Sequence, residues 1–465
     1  MLLGCFLLCG CSDWLDVKPY DKISDDELFS TEEGFQKLLN GVYVELNNDK
    51  LYGCALTVEM IEIMGGAYTI GTDNSVWGNY KDLADYQYET EYWRGRLSET
   101  WNEAYAMILN CNEILENMES RTSLFTGDNY NIIRGEALAL RAMLHFDMLR
   151  LFGPVYSRNK DKLSIPYYTA QTNLPEEQLP ASEVIRKVIT DLEEARILLV
   201  NDPVKTEGTM MSGDVNQNSN FLRYRALRMN YYAVTALLAR VYLWGNDKEA
   251  ALKEAKEIIG EAGGESPASY ELANSAATTS DPMFNKELIF TLDVQKLKDN
   301  SDIYFTESFS STSNILTMSS KGKTNIFNGS GLDNEFRNYW ITPYSDGSSF
   351  VLKKYTGVNY IPMFKISELY LIAAECAQGK AAYDYLNKLR NHRGLSSIAP
   401  TDDLAGYIFQ EYRREFIGEG QMFFYYKRKA METIGAENNI AHQDVNAVYN
   451  LPIPTVEIDF GNIKN

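Results

Sequence analysis

Between residues 134 and 156 the apolar positions recur with a helical period. Ala137, Leu140, Leu144, Met148 and Leu151 fall three and four residues apart. Ala139, Met143, Phe146 and Leu149 add apolar surface on the other faces, so this helix is expected to be surrounded by protein. Its small residues Ala137, Ala139 and Ala142 would let a neighbouring helix come close. Gly153 is expected in the left-handed exit conformation, and Pro154 blocks continuation. Related text returns at 232–252 and 369–386, each time as an Ala-rich apolar helix, a Gly-containing turn and a second helix beginning with Ala. Helix pairs of this kind bury their apolar face against the next pair, the logic of tetratricopeptide repeats. The copies are neither contiguous nor regular in sequence, which argues against a continuous solenoid.

Elsewhere the pattern is mixed. Ser30 or Thr31 is placed to cap a helix through Leu38, Leu39, Val42 and Tyr43, and a further helix is expected over about 96–118. Residues 158–183 are Pro-bearing and polar, with Ser182 a candidate cap, and 201–220 reads as a loop. Over 263–362 helical patterning largely disappears, while 287–293 and 350–355 read as short strands. The fold class that follows is mainly α: tetratricopeptide-like helix pairs beside an irregular, loop-rich region with a few short strands.

Residues 65–80 have neither period. They interleave Tyr68, Trp77 and Tyr80 with Asp73, Asn74 and several glycines. Sugar rings call for such a mixture, because their C–H faces stack on aromatic rings while their hydroxyls bond to carboxylates and amides. An equally open reading is a loop whose aromatics pack back onto the helices.

Composition narrows the classes. The 465 residues, 45% hydrophobic and 23% charged, describe a globular chain. A net charge of -20 argues against nucleic acid and against anionic headgroups as partners. The sequence contains no His-Glu-x-x-His, phosphate loop, Gly-x-Ser-x-Gly elbow or Cys-x-x-Cys. His145 reads as a satisfied core residue. Glu411, Glu415 and Glu419 recur four apart among Arg413 and Arg414 and read as a salt-bridged structural helix, not a metal or acid–base site. No metal or other cofactor is expected.

At the start, the apolar run 2–8 followed by Cys9-Gly10-Cys11 is too short to span a bilayer and resembles the end of a bacterial lipoprotein signal. Cys11 is then the lipidated residue, residues 1–10 the signal remnant, and lipid the sole membrane attachment. Without Lys or Arg ahead of the run, the true start is expected a few codons upstream. Cys54, Cys111 and Cys376 imply no disulfide framework.

Behind Cys11 stand Asp13-Trp14-Leu15-Asp16 and Pro19. This opening resembles the SusD/RagB family of Bacteroidetes outer-membrane lipoproteins. The likeness continues through Phe35 to Tyr43, Glu136 to Pro154, Tyr232 to Leu252, Phe364 to Ala377, Leu386 to Leu395, Glu411 to Gly420 and Leu451 to Asp459. Gln421, Met422 and Tyr425 stand where the family usually carries His-Arg and Asp, which puts local salt bridges in doubt.

The resemblance implies one domain over 11–465. It would comprise a helical part at 11–262 with a ligand loop near 65–93, a loop-rich insertion at 263–362, and a second helical part at 363–465. It further implies a non-enzymatic lipoprotein on the outer face of the outer membrane. Such a protein captures oligosaccharides or polysaccharide fragments and passes them to a SusC-like, TonB-dependent barrel. Asp73, Asn74, Trp77 and Tyr80, with Tyr304, Trp340 and Tyr344 from the insertion, are the expected ligand-binding residues. Two other readings stay open: the same architecture binding peptides, and an exported glycoside hydrolase whose two carboxylates are brought together by folding.

Overall fold

The central helix runs from Asn129 to Phe152 in the computed structural model, and from Gly135 onward every residue in it is buried. The structure describes residues 28–70, 76–172, 174–215, 219–261, 270–274, 281–305, 316–327, 334–435, 440–441, 445–461 and 463. Helices Glu91–Glu119 and Ala181–Leu198 flank the central one. Close approach depends on a small residue, since a Cβ at Gly135 would lie 2.8 Å from Leu199 Cγ.

Burying a whole helix also buries its polar side chains, and each finds partners. Glu136 accepts from Tyr43, Arg225 and Arg228, while Arg141 forks onto Asp191 through two 2.8 Å bonds. His145 is the satisfied core residue expected: its Nδ1 bonds to Arg141 O (2.9 Å) and its Nε2 accepts from Tyr168 N (3.0 Å). Burial, with Arg141 adding to it, holds the imidazole pKa well below the usual range, so the ring is neutral.

The helix ends differently from the expectation. Gly153 has φ -76° and ψ 169°, an extended and not a left-handed exit. Glycine is required by space instead: a Cβ there would sit 2.6 Å from Leu149 O. Lys427 completes the stop, its buried ammonium donating to Leu151 O (2.9 Å) and Gly153 O (2.7 Å).

The two predicted pairs are Tyr231–Trp244 with Lys248–Glu261, and Ile366–Cys376 with Lys380–His392. Helix Lys248–Glu261 packs directly on Ile366–Cys376, and Tyr231–Trp244 packs on Ala181–Leu198. The stack therefore continues in space although about a hundred residues interrupt it in sequence. Thr31 caps the first helix, Glu32–Leu46, by accepting from Gly34 N. Ser182 does not cap: helix Ala181–Leu198 starts one residue earlier behind Pro180, and the Ser182 hydroxyl bonds to Asp161.

Between the pairs lie short antiparallel strands. Leu288–Asp293 pairs with Tyr360–Lys365, and Ile341–Pro343 with Phe350–Leu352. Helices Leu297–Phe305 and Ser320–Phe327 also stand in this region, where helical patterning had looked absent. Both are short and built mostly from Lys, Asn, Ser and Asp, so no apolar period marks them.

The three glutamates are structural, as expected, but only two belong to the helix, which spans Leu404–Glu415. Glu411 accepts from Arg337, Arg390 and Arg414, and Glu415 from Arg337 and Arg393 with Lys365 at 3.2 Å. Glu419, beyond the helix end, receives Lys354 and Lys365. Where the family's His-Arg and Asp are replaced, Gln421 accepts from Arg150, and Tyr425 stacks on Phe409 with ring centroids 5.7 Å apart.

Glu375 takes both Arg428 nitrogens and Lys429. Its burial opposes ionisation, but these two cations outweigh it and hold the pKa at about 2, against a usual 4.5. Between those values the unfolded chain binds the proton first, so stability is present above pH 4.5 and falls as the pH drops toward 2. This one group should contribute about 3 kcal/mol over that window. Urea unfolding between pH 6 and pH 3 should show the decline, and Glu375→Gln should flatten it.

Candidate functional site

Three stretches far apart in sequence meet at one side of the molecule. Thr69 N donates to Thr317 O (2.6 Å), which ties the loop after helix Met60–Met64 to the insertion. One residue on, Met318 bridges to Phe350 in the strand Phe350–Leu352, whose partner strand carries residues 341–343. Residues 65–70, residues 316–318 and the hairpin 341–352 are thus joined edge to edge by backbone hydrogen bonds.

Beneath the loop lies a polar cluster. Tyr80 donates to Glu59 Oε1 (2.7 Å), and its hydroxyl lies 3.1 Å from that of Tyr304. Arg96 binds the other Glu59 oxygen at 2.5 Å, and the Cys54 thiol stands 3.8 Å from Tyr304 Oη. Burial and the Glu59 charge push both tyrosine pKa values and that of the Cys54 thiol up, so all three are neutral donors. The Tyr80 ring meets Tyr304 and Trp93 edge-on, at 5.9 and 5.5 Å.

Nearby, Tyr68 donates to Glu62, whose two oxygens also accept from Gly418 N (2.8 Å) and Gly420 N (2.9 Å). Gly418 and Gly420 have φ of +79° and +65°, and a Cβ at Gly420 would lie 2.8 Å from Leu56 O. Only glycine brings both N–H groups onto that carboxylate. Both carboxylates closest to the loop are therefore engaged in holding it.

The expected binding residues distribute unevenly. Tyr80 and Tyr304 are brought together, as a buried pair. Trp340 is an interior residue instead of a platform: it is 1% exposed, donates to Pro282 O (3.0 Å) and has the Lys354 ammonium 3.8 Å from its ring centroid. Tyr344 is likewise buried, against Val351. Both rings have packing roles in this structure: Trp340 closes the 3-10 turn Phe336–Trp340 and Tyr344 follows the strand Ile341–Pro343, each with its ring turned inward. Asp73 and Asn74 lie outside the described residues, and Trp77, expected in a loop, stands in the helix Val76–Ala84.

Surface aromatics that the sequence reading passed over are Tyr339 and Phe350. Tyr339 is 42% exposed with Lys353 Nζ 3.6 Å from its ring centroid, and Phe350 is half-buried with Lys323 Nζ at 4.2 Å. A signal was available in the first case, since in Tyr339-Trp340 a 3-10 turn sends adjacent rings to different sides.

A large cavity of about 1430 Å³ lies elsewhere, between helix Glu32–Leu46 and residues 219–228 and 291–296. None of the seven expected binding residues lines it. Among the described residues no group of three or more His, Cys, Asp or Glu side chains is placed to hold a metal, and no helix is long and apolar enough to cross a membrane.

With this geometry in place, comparison with known proteins is direct. A family model described as starch-binding associating with outer membrane matches residues 13–212, and one described as the SusD family matches residues 288–459. The chain belongs to the SusD/RagB family. It is 22% identical to a SusD-like protein of Formosa agariphila over 308 residues, 64% of this chain and 50% of that relative, so the match spans half of the relative's length. A crystal structure of a SusD superfamily protein from Bacteroides thetaiotaomicron superposes with a TM-score of 0.72 at 20% identity, covering 93% of this chain and 99% of that one. Surface glycan-binding protein A from the same organism, solved with laminarihexaose, gives 0.68 at 20% identity, covering 94% and 99%. At these identities the structural likeness establishes the fold.

Proposed function

We propose that this protein is a cell-surface glycan-binding lipoprotein that captures oligosaccharides and hands them to a SusC-like, TonB-dependent barrel. The observation that carries the reading is the joining of residues 65–70 to residues 316–318 and to the hairpin 341–352 on a scaffold shared with a laminarihexaose-binding neighbour. In this reading Asp73, Asn74 and Trp77 contact the sugar. Tyr80 and Tyr304 brace the loop from below through Glu59, and Tyr339 and Phe350 offer further ring surface. The protein binds and releases its ligand without bond cleavage. Cys11 carries the lipid that holds the mature chain on the outer membrane, facing outward.

Isothermal titration of the chain lacking residues 1–11 against β-glucan and α-glucan oligosaccharides, with peptides as controls, tests the ligand class. Saturable glycan binding with unchanged product is expected. Peptide binding alone, or release of shorter sugars, would replace this reading. Mild-detergent purification from native membranes should recover a TonB-dependent barrel with the protein, and recovery of the protein alone with ligand present counts against delivery.

A further inference from the structure

On the helix that carries Trp93 beneath the candidate loop, Trp101 and Tyr105 lie further along and help to line a separate cavity of about 350 Å³. Twelve residues of helix put Tyr105 roughly 18 Å from Trp93. Tyr168 joins the wall, its ring edge-on to Tyr105 at 5.6 Å. The short C-terminal helix Thr455–Phe460 closes the other side with Phe460, and Leu174 completes the rim. Leu174 is 76% and Phe460 81% exposed, so the mouth is a cluster of large apolar side chains in water.

The one charged group among the residues lining this cavity is a carboxylate. Glu457, half-buried, lines it, and its charge is felt by both Tyr105 and Tyr168. Among the described residues no side chain forms an ion pair or hydrogen bond with this carboxylate. The hydroxyl of Tyr105 donates inward to Pro166 O, and Tyr168 Oη accepts from Glu176 N. A neutral sugar could use the Tyr168 and Thr172 hydroxyls but would leave the Glu457 carboxylate, which has no side-chain partner among the described residues, without a counter-charge. A cation on an apolar frame satisfies both the rings and the carboxylate, since its charge is attracted to aromatic faces and to the carboxylate, and its methylenes cover the walls.

We propose that this cavity binds an organic ammonium group, with Glu457 as counter-ion and Tyr168 and Phe460 as aromatic walls. A net charge of -20 draws such a cation to the protein from a distance. The site is independent of the glycan surface, and its test does not depend on that reading.

The probe is choline, titrated calorimetrically into the full mature chain at low salt, with the uncharged isostere 3,3-dimethylbutan-1-ol in parallel. Choline should bind, and the isostere at least tenfold more weakly. Glu457→Gln and Phe460→Ala should each weaken choline about tenfold, and neither should change the melting temperature, because both side chains are partly exposed. Lysine amide and glucosamine serve as further arms that separate an amino-acid source of the ammonium from an amino-sugar source. Equal binding of choline and its isostere would make the cavity merely apolar and overturn the proposal. So would full affinity in Glu457→Gln, or no heat with any of the three cations.

Discussion

Glu415→Gln is expected to destabilise the protein by about 3–5 kcal/mol, the range for removing one partner from a buried ion network. Glu415 is wholly buried and faces Arg337, Arg393 and Lys365, all themselves buried. Burial opposes its ionisation, yet Arg393 and the other cations hold its pKa well below the usual carboxylate range. The neutral amide keeps the volume but leaves three cations sharing less negative charge in a place water does not reach. A domain of ordinary stability has about 5–15 kcal/mol in total, so this variant should approach the edge of folding. Asp384→Asn, in the exposed pair Lys380–Asp384, should cost only about 0.3–0.5 kcal/mol. Urea denaturation of the two variants side by side measures the difference. A loss below 1 kcal/mol at Glu415 would mean that the network relaxes around the missing charge.

The second large effect is on binding. Trp77→Ala should weaken the true glycan ligand about ten- to a hundredfold, the share a large aromatic carries at a binding hot spot. If Trp77 packs against the body of the protein instead, the same change opens a cavity and costs about 3–5 kcal/mol of stability. Titration and thermal unfolding of one variant therefore separate the roles. Weak binding with an unchanged melting temperature supports the platform. Full affinity with a much lower melting temperature removes Trp77 from it.

The helical body was legible because burial on a helix leaves a period, and Ala137 to Leu151 carry it through four turns. The two Gly-containing turns after Trp244 and Cys376 were legible for the same local reason. Helices Leu297–Phe305 and Ser320–Phe327 were not, because Asn300 and Ser301 on the buried face of the first and Gly322 on that of the second interrupt the apolar period. The same limit applies to the candidate site. Tyr, Trp and Asp in a polar stretch announce a surface able to hold sugar, but whether a ring faces water is fixed by pairings such as Ile341 with Leu352. Trp340, at the end of the 3-10 turn before that pairing, and Tyr344, just past it, both face inward. The Tyr80–Tyr304 contact spans 224 residues, and nothing local marks it.

The anchors of residues 65–70 also determine when in synthesis that loop is fastened. Its holding partners are Thr317, Gly418, Gly420 and Gly435, the last packed so closely that a Cβ at Gly66 would meet its Cα at 2.7 Å. All of them leave the ribosome long after the loop itself, a lag on the order of 10–70 s at ~5–20 residues per second. During synthesis the nascent chain thus carries residues 65–70 unfastened until its far end has been made. A chain cut short before Gly418 would keep most of its helices yet leave Glu62 without two of its backbone donors.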